Sequence, residues 1–245
     1  GLMAQSKKNL SLIRKDAKSK IFFVLCVSVL ISFSTLHAQE QRTYSPAEVM
    51  EKVQQTYAAL TDASAKFTQK VFFKYTKVEQ VFSGTVLMKK GNKYRVESQQ
   101  QTIVTDGKTV WLYSPLNQQV LIDHYAENKQ TFSPEKFLLG LPKNYSAAFL
   151  NEDVSSVNAT YVLKLAPKSK GDAPSVIKSL KVWVNEKDWS VRKIEYIDLN
   201  DTRSMYTLHD IVFNAGIDES KFQFTTPSGC EIVDVRSLQQ HSSEK

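Results

Sequence analysis

Apolar and polar residues alternate with a period of two over most of this chain. In the stretch ASAKFTQKVFFKY, Ala65, Phe67, Val71, Phe73 and Tyr75 share one side, and Lys66, Thr68, Lys70 and Lys74 the other. Alternation over that length predicts a half-buried antiparallel strand. The pattern returns over Val78–Lys89, with Phe82, Val86 and Met88 on one side and Gly84 predicted as a bulge or bend. After a turn at Gly91-Asn92, Tyr94, Val96 and Ser98 alternate. Thr102 to Ile122 then reads as a meander of three short strands. Asp106-Gly107 makes its first turn, because glycine accepts positive φ without a Cβ clash. Ser114-Pro115 opens its second, because proline presets φ for a turn. Further strands are predicted at Tyr161–Ala166, Leu180–Val184, Val191–Leu199, Met205–Phe213 and near Ile232.

Helical spacing appears in only a few places. Val49, Met50, Val53, Tyr57 and Leu60 recur at helix intervals behind Ser45-Pro46-Ala47-Glu48. Ser45 can cap, Pro46 suits the first turn, and Glu48 sits where a capping box needs it. A short helix from Ser133-Pro134-Glu135 carries Phe137, Leu138 and Leu139 and is expected to stop at Gly140 and Pro142. Ser146–Leu150 is read as a further helical turn. The fold class is therefore mainly β, with about ten or eleven strands and about three short helices. The central helix either plugs the sheet permanently or covers a cavity as a lid. A sheet with one apolar face and so little helix can curl and close on itself, or keep an apolar cavity for a greasy ligand. The pattern leaves both open.

The N-terminus changes the charge picture. Lys7, Lys8, Arg14, Lys15, Lys18 and Lys20 stand against Asp16 alone, and the uncharged run Ile21–Phe33 follows. A basic segment, a short apolar run and a small residue at Ala38 compose a secretory signal peptide, expected over residues 1–38. The run is shorter than the ~20 residues needed to span a bilayer. Of the formal +7, the leader carries +5, leaving +2 for a single domain at residues 39–245. That balance gives little support to nucleic-acid binding, which wants a clustered basic face. Cys26 lies in the leader, behind Val24 and Leu25, which are too large for a typical lipobox. Cys230 is left with no intramolecular partner.

Chemistry-bearing motifs are sparse. Gly107-Lys108-Thr109 imitates the end of a phosphate loop, but Thr102 stands where that motif needs glycine, and the context is strand to strand. His124, His209 and His241 are widely spaced, and no HExxH, CxxC or GxSxG occurs. His209 beside Asp210 is explained as well by strand alternation, and Glu152-Asp153 sits in a polar loop. No catalytic residue, metal site or cofactor is predicted, and the chain is not expected to be an enzyme.

Several segments together resemble the LolA family of periplasmic outer-membrane lipoprotein carriers. They are FTQK at Phe67–Lys70, Ser83-Gly84, KKGNKY at Lys89–Tyr94, VTDGKTVWLYSP at Val104–Pro115, LAPKSK at Leu165–Lys170 and KFQFTTPSG at Lys221–Gly229. The resemblance implies an incomplete, half-open antiparallel barrel whose helices form a lid over an apolar cavity. It implies a monomer that takes acylated lipoproteins from an inner-membrane LolCDE transporter to an outer-membrane LolB acceptor, with no nucleic acid involved. By strand parity, Phe67, Val71, Val86, Met88, Tyr94 and Val96 would face that cavity. Val53, Tyr57, Phe137 and Leu138 would belong to the lid. Where the family commonly has an Arg-Pro pair whose arginine bonds lid carbonyls, this chain has Lys90-Gly91. Lysine donates without arginine's planar fork, so Lys90 is expected to make a weaker latch. Two other readings are a LolA-like carrier of another lipid or glycolipid, and an envelope-stress regulator of the RseB kind. The regulator would carry an additional domain beyond residue 245.

Overall fold

The computed structural model describes residues 43–125, 134–169, 173 and 176–236. The predicted leader and Ser133 lie outside the described residues. In chain order the elements are α1 (Pro46–Ala59), β1 (Asp62–Phe73), β2 (Val78–Lys89), β3 (Lys93–Ser98), β4 (Thr102–Asp106), β5 (Thr109–Ser114) and β6 (Gln119–His124). Then come α2 (Pro134–Leu139), α3 (Leu141–Asn144), β7 (Tyr145–Leu150), β8 (Tyr161–Pro167), β9 (Ile177–Val184), β10 (Val191–Asp198), β11 (Thr202–Phe213) and β12 (Glu231–Asp234). Short 3-10 turns occupy Ser155–Val157 and Glu219–Phe222.

All twelve strands form one open sheet in the order β12-β6-β5-β4-β3-β2-β1-β11-β10-β9-β8-β7. Every pairing is antiparallel except β12 with β6, which is parallel. The sheet is mainly β architecture left unclosed, with β12 and β7 as its edges.

The helix signals act as read. Ser45 Oγ accepts from the Glu48 N–H, and the Glu48 carboxylate accepts from the Ser45 N–H at 2.7 Å, which completes the capping box of α1. The bonds to Ser45 hold the Glu48 carboxyl below its usual range. The meander is also as expected. Gly107 takes φ +88, and Asp106 Oδ1 accepts from the Lys108 and Thr109 N–H groups at 2.9 and 2.8 Å. That is hairpin chemistry and uses the GKT residues entirely.

Four sequence expectations are corrected. Ser146–Leu150 is strand β7, because the Tyr145 and Ala147 side chains turn inward while Ser146 and Ala148 turn out. Pro142 does not end helical structure; it sits in the first turn of α3, where its missing N–H is harmless. Tyr75 does not continue the face of β1, which ends at Phe73; it lies in the following turn, 78% exposed. Gly84 makes no bulge, since β1 and β2 pair without a shift from Asp62↔Lys89 to Phe73↔Val78. The glycine serves close approach instead. A Cβ there would lie 2.0 Å from the Glu97 carbonyl oxygen and 2.7 Å from the Phe67 ring.

Buried Asp62 ties the chain's end to its beginning. Its carboxylate accepts from the Ala215 and Ile217 N–H groups at 2.7 and 2.9 Å, and Asn214 Oδ1 accepts from the Thr61 N–H at 2.8 Å. This directs the segment after β11 across β3 and β4, where Phe222 is fully buried and Phe224 meets Tyr113 at 5.8 Å. The outer face of the meander, with Val104 and Val120 both fully buried, is closed in this way.

Gly84→Ala should destabilise the fold by about 1–3 kcal/mol, the usual cost of overpacking a filled site. A chemical-denaturation midpoint unchanged from the parent would remove the close-approach account.

Candidate functional site

Strand register decides which side chains share the inner face. Directly paired residues in a sheet point the same way. One row runs Ala65–Val86–Val96–Ile103–Leu112–Leu121–Val233 across β1 to β6 and on to β12. A neighbouring row runs Ala63–Met88–Tyr94–Thr105. Phe67 pairs with Gly84 and Leu208, and Val71 with Ser204. The six residues assigned inward by parity, Phe67, Val71, Val86, Met88, Tyr94 and Val96, therefore lie on one face. Leu163, Leu165, Leu180 and Val182 lie on the continuation of that face through β11 and β10.

The two halves of this face are covered differently. Over β7–β10, α1, α2 and α3 pack directly on the sheet. Val49, Met50, Val53, Phe137, Leu138 and Leu141 join Leu163, Leu165, Leu180 and Val182 in one buried cluster. Tyr57 packs at its border, and its hydroxyl accepts from the Val191 N–H at 3.2 Å. Burial pushes the Tyr57 hydroxyl up to about 12, so it stays neutral there. Over β2–β6 the row Val86, Val96, Ile103, Leu112 and Leu121 is only half-buried. Phe67, Val71 and Tyr94 are buried beside it. Burial also pushes Tyr94 up to about 12, and the ring meets Tyr125 edge-on at 6.3 Å. The result is a half-open apolar floor next to a helix-covered wall.

Helix and floor meet at a groove lined by Tyr57, Leu60, Met88, Lys90, Leu138 and Leu139. The predicted latch stands here, but exposed. Its backbone N–H donates to the Thr61 carbonyl at 3.2 Å. Gly91 takes φ +91, which proline cannot adopt, so the loop carrying Lys90 is not shaped like an Arg-Pro turn. The carbonyl of Leu139 in α2 is held by Gln54 Nε2 of α1 at 2.7 Å.

Sequence reasoning missed Gln54 and the floor residues Ile103, Leu112 and Leu121. The floor residues were legible in principle, because the short hairpins of the meander fix parity from Val96 onward. Gln54 carried no signal, since a polar residue on an amphipathic helix reads as solvated.

The other polar groups make ordinary structural bonds. Asp210 pairs with Lys66 at 2.9 Å and His209 lies 3.4 Å from Thr68 Oγ1, all on the exposed surface. Glu152 pairs with Lys181 at 2.7 Å, and Asp153 caps its own turn through Ser155. Among the described residues no group of His, Cys, Asp and Glu is arranged to hold a metal ion. No described helix is long and apolar enough to cross a membrane.

Residues 58–225 match the family model described as outer membrane lipoprotein carrier protein LolA. The chain belongs to the LolA family. It is 30% identical over 193 residues to an outer-membrane lipoprotein carrier protein of Histophilus somni, covering 78% of this chain and 89% of that protein. A carrier of the same description from Glaesserella parasuis is 30% identical over 196 residues, covering 79% and 88%. Among solved structures, an uncharacterised conserved protein from Thermus thermophilus overlays with a TM-score of 0.48 at 13% identity, covering 76% of this chain and 97% of that one. A LolA superfamily protein from Nitrosomonas europaea overlays at 0.38 and 13% identity, covering 74% and 99%. These overlays bear on neither family nor function. Membership in the LolA family fits an open antiparallel sheet with helices packed on one part of an apolar face.

Gln54→Ala should loosen α2 from α1 by about 1 kcal/mol, the usual worth of one such bond. Amide exchange in residues 137–139 should then quicken about fivefold, while Lys90→Ala leaves it unchanged. Faster exchange in the lysine variant alone would return the latch to Lys90.

Proposed function

We propose that this protein carries the acyl chains of lipoproteins through the periplasm. The observation that carries the reading is the half-buried row Val86–Val96–Ile103–Leu112–Leu121, beside helices packed on the neighbouring part of the same apolar face. Water contact with an acyl chain costs about 0.8 kcal/mol per CH2, so a lipoprotein's chains need an apolar refuge to cross the periplasm. The floor offers that refuge without chemistry, and the reading requires no catalytic group and no cofactor. The chain would enter the periplasm by a leader removed near Ala38. It would work as a monomer, loaded by an inner-membrane LolCDE-type transporter and unloaded by a LolB-type acceptor. Names of relatives at about 30% identity support this assignment.

Chains would enter along the half-open floor, and a shift of the lid helices would widen it at the groove they share. A ligand moves such an equilibrium only by its differential affinity for the two states. Any directional drive must come from the partners that load and unload the carrier.

The protein should bind an acylated lipoprotein and fail to bind the same protein without its acyl chains. Leu138→Glu, in the lid, should reduce uptake more than it reduces folding. Equal binding of acylated and unacylated forms, measured by co-purification, would defeat the carrier reading. Preferential capture of free glycolipid or phospholipid would reassign the cargo.

A further inference from the structure

The longest hairpin of the sheet reaches beyond its neighbour. β2 pairs with β1 along Val78–Lys89, but with β3 only from Gly84 to Lys89. Val78 to Ser83 therefore project past β3, by roughly 20 Å at about 3.4 Å per residue. The projection is braced on its other side, where Phe73 pairs with Thr202 at the start of β11. At its tip, Lys74, Tyr75 and Lys77 stand beside the β10–β11 turn that carries Leu199 and Asp201. Lys74 Nζ and Tyr75 Oη both donate to Asp201 Oδ2, at 3.1 and 3.4 Å, and Lys178 Nζ donates to Asp201 Oδ1 at 2.9 Å.

This corner displays what a folded protein normally hides. Tyr75 is 78% exposed, Leu199 57% and Val78 46%. Lys74, Lys77 and Lys178 surround them, against exposed Glu79 and the one shared Asp201. Asp198 accepts from the Asn200 and Thr202 N–H groups of the same turn and adds a third acid, whose charge reaches Lys178.

We infer that this corner is a membrane-contact site for a bilayer bearing anionic headgroups. Tyrosine suits the interface because its ring is apolar and its hydroxyl wet. Lysines beside it can lay their stems along apolar surface while their ammonium groups meet headgroup phosphates. The tip is small and exposed, with Lys77 beside the two lysines that share Asp201. A bilayer interface deforms to receive such a shape, whereas a protein partner would offer a pocket to a contiguous apolar patch. The site stands on these residues alone. A use for it rests on the carrier reading. Phe67, Val71, Phe73, Val78 and Phe82 lie on the inner face along the hairpin, with Gln69 and Gln80 among them, so a mainly apolar track joins the floor to the tip. A carrier touching the bilayer there would pass acyl chains along protein rather than through water.

Hydrogen–deuterium exchange on the full chain, free of cargo, reads the contact locally. Added phosphatidylglycerol vesicles should slow exchange several-fold in residues 74–77 and 199–201, and phosphatidylcholine vesicles should slow it less. The double variant Tyr75→Ser, Leu199→Ser should lose the protection while keeping its folding midpoint, because both side chains are exposed. Exchange at the tips that is the same with and without vesicles would overturn the inference. Protection that appears only with an extracted envelope-protein fraction would assign the corner to a protein and overturn it as well. Neither readout involves acylated cargo, so failure of the carrier reading leaves this result intact.

Discussion

A twelve-strand sheet with one mainly apolar face must hide that face or use it. Three short helices are all the described chain has for the purpose. They pack fully over β7–β10, where valines of α1 lose all exposure, and the row from Val86 to Leu121 stays half-open. The imbalance follows from the order of elements in the chain. Eleven strands follow β1, and among the described residues only α2, α3 and two short 3-10 turns interrupt them, so the sheet outgrows its cover. The outer face has a separate solution. There Asp62 fixes the path of the segment after β11, and Phe222 closes the back of the meander.

Much of this architecture could be read from alternation, because antiparallel strands with one wet face carry period two directly. Ser45, Pro46 and Glu48 announced α1 through local chemistry, and Asp106-Gly107 announced its hairpin for the same reason. Long-range pairing left no such mark. β12 lies parallel to β6, more than a hundred residues away in the chain, and four residues of ordinary strand propensity cannot show that. Ser146–Leu150 was misread because small residues after a proline suit either state, and pairing with β8 decides. Gly84 looked like a defect in a strand because its reason for being there, the Phe67 ring, is across the sheet.

The site was partly legible in the same sense. The six residues assigned by parity share one face, since hairpin turns carry parity from strand to strand. The residue expected to latch the lid was proposed by resemblance, and the local backbone at Gly91 does not repeat an Arg-Pro turn. Gln54 bonds the lid carbonyl from the other side of the groove. A neutral amide held to one carbonyl is a modest tie between α1 and α2.

The central claim is that acyl chains lie along the half-open floor and not elsewhere on the sheet. Photocrosslinking with a lipopeptide whose acyl tail carries the reactive group tests it most directly. The account predicts adducts on Val86, Val96, Ile103, Leu112 and Leu121. Adducts on Trp111, Tyr113 or Ile122, which face the opposite side of the same strands, would contradict it.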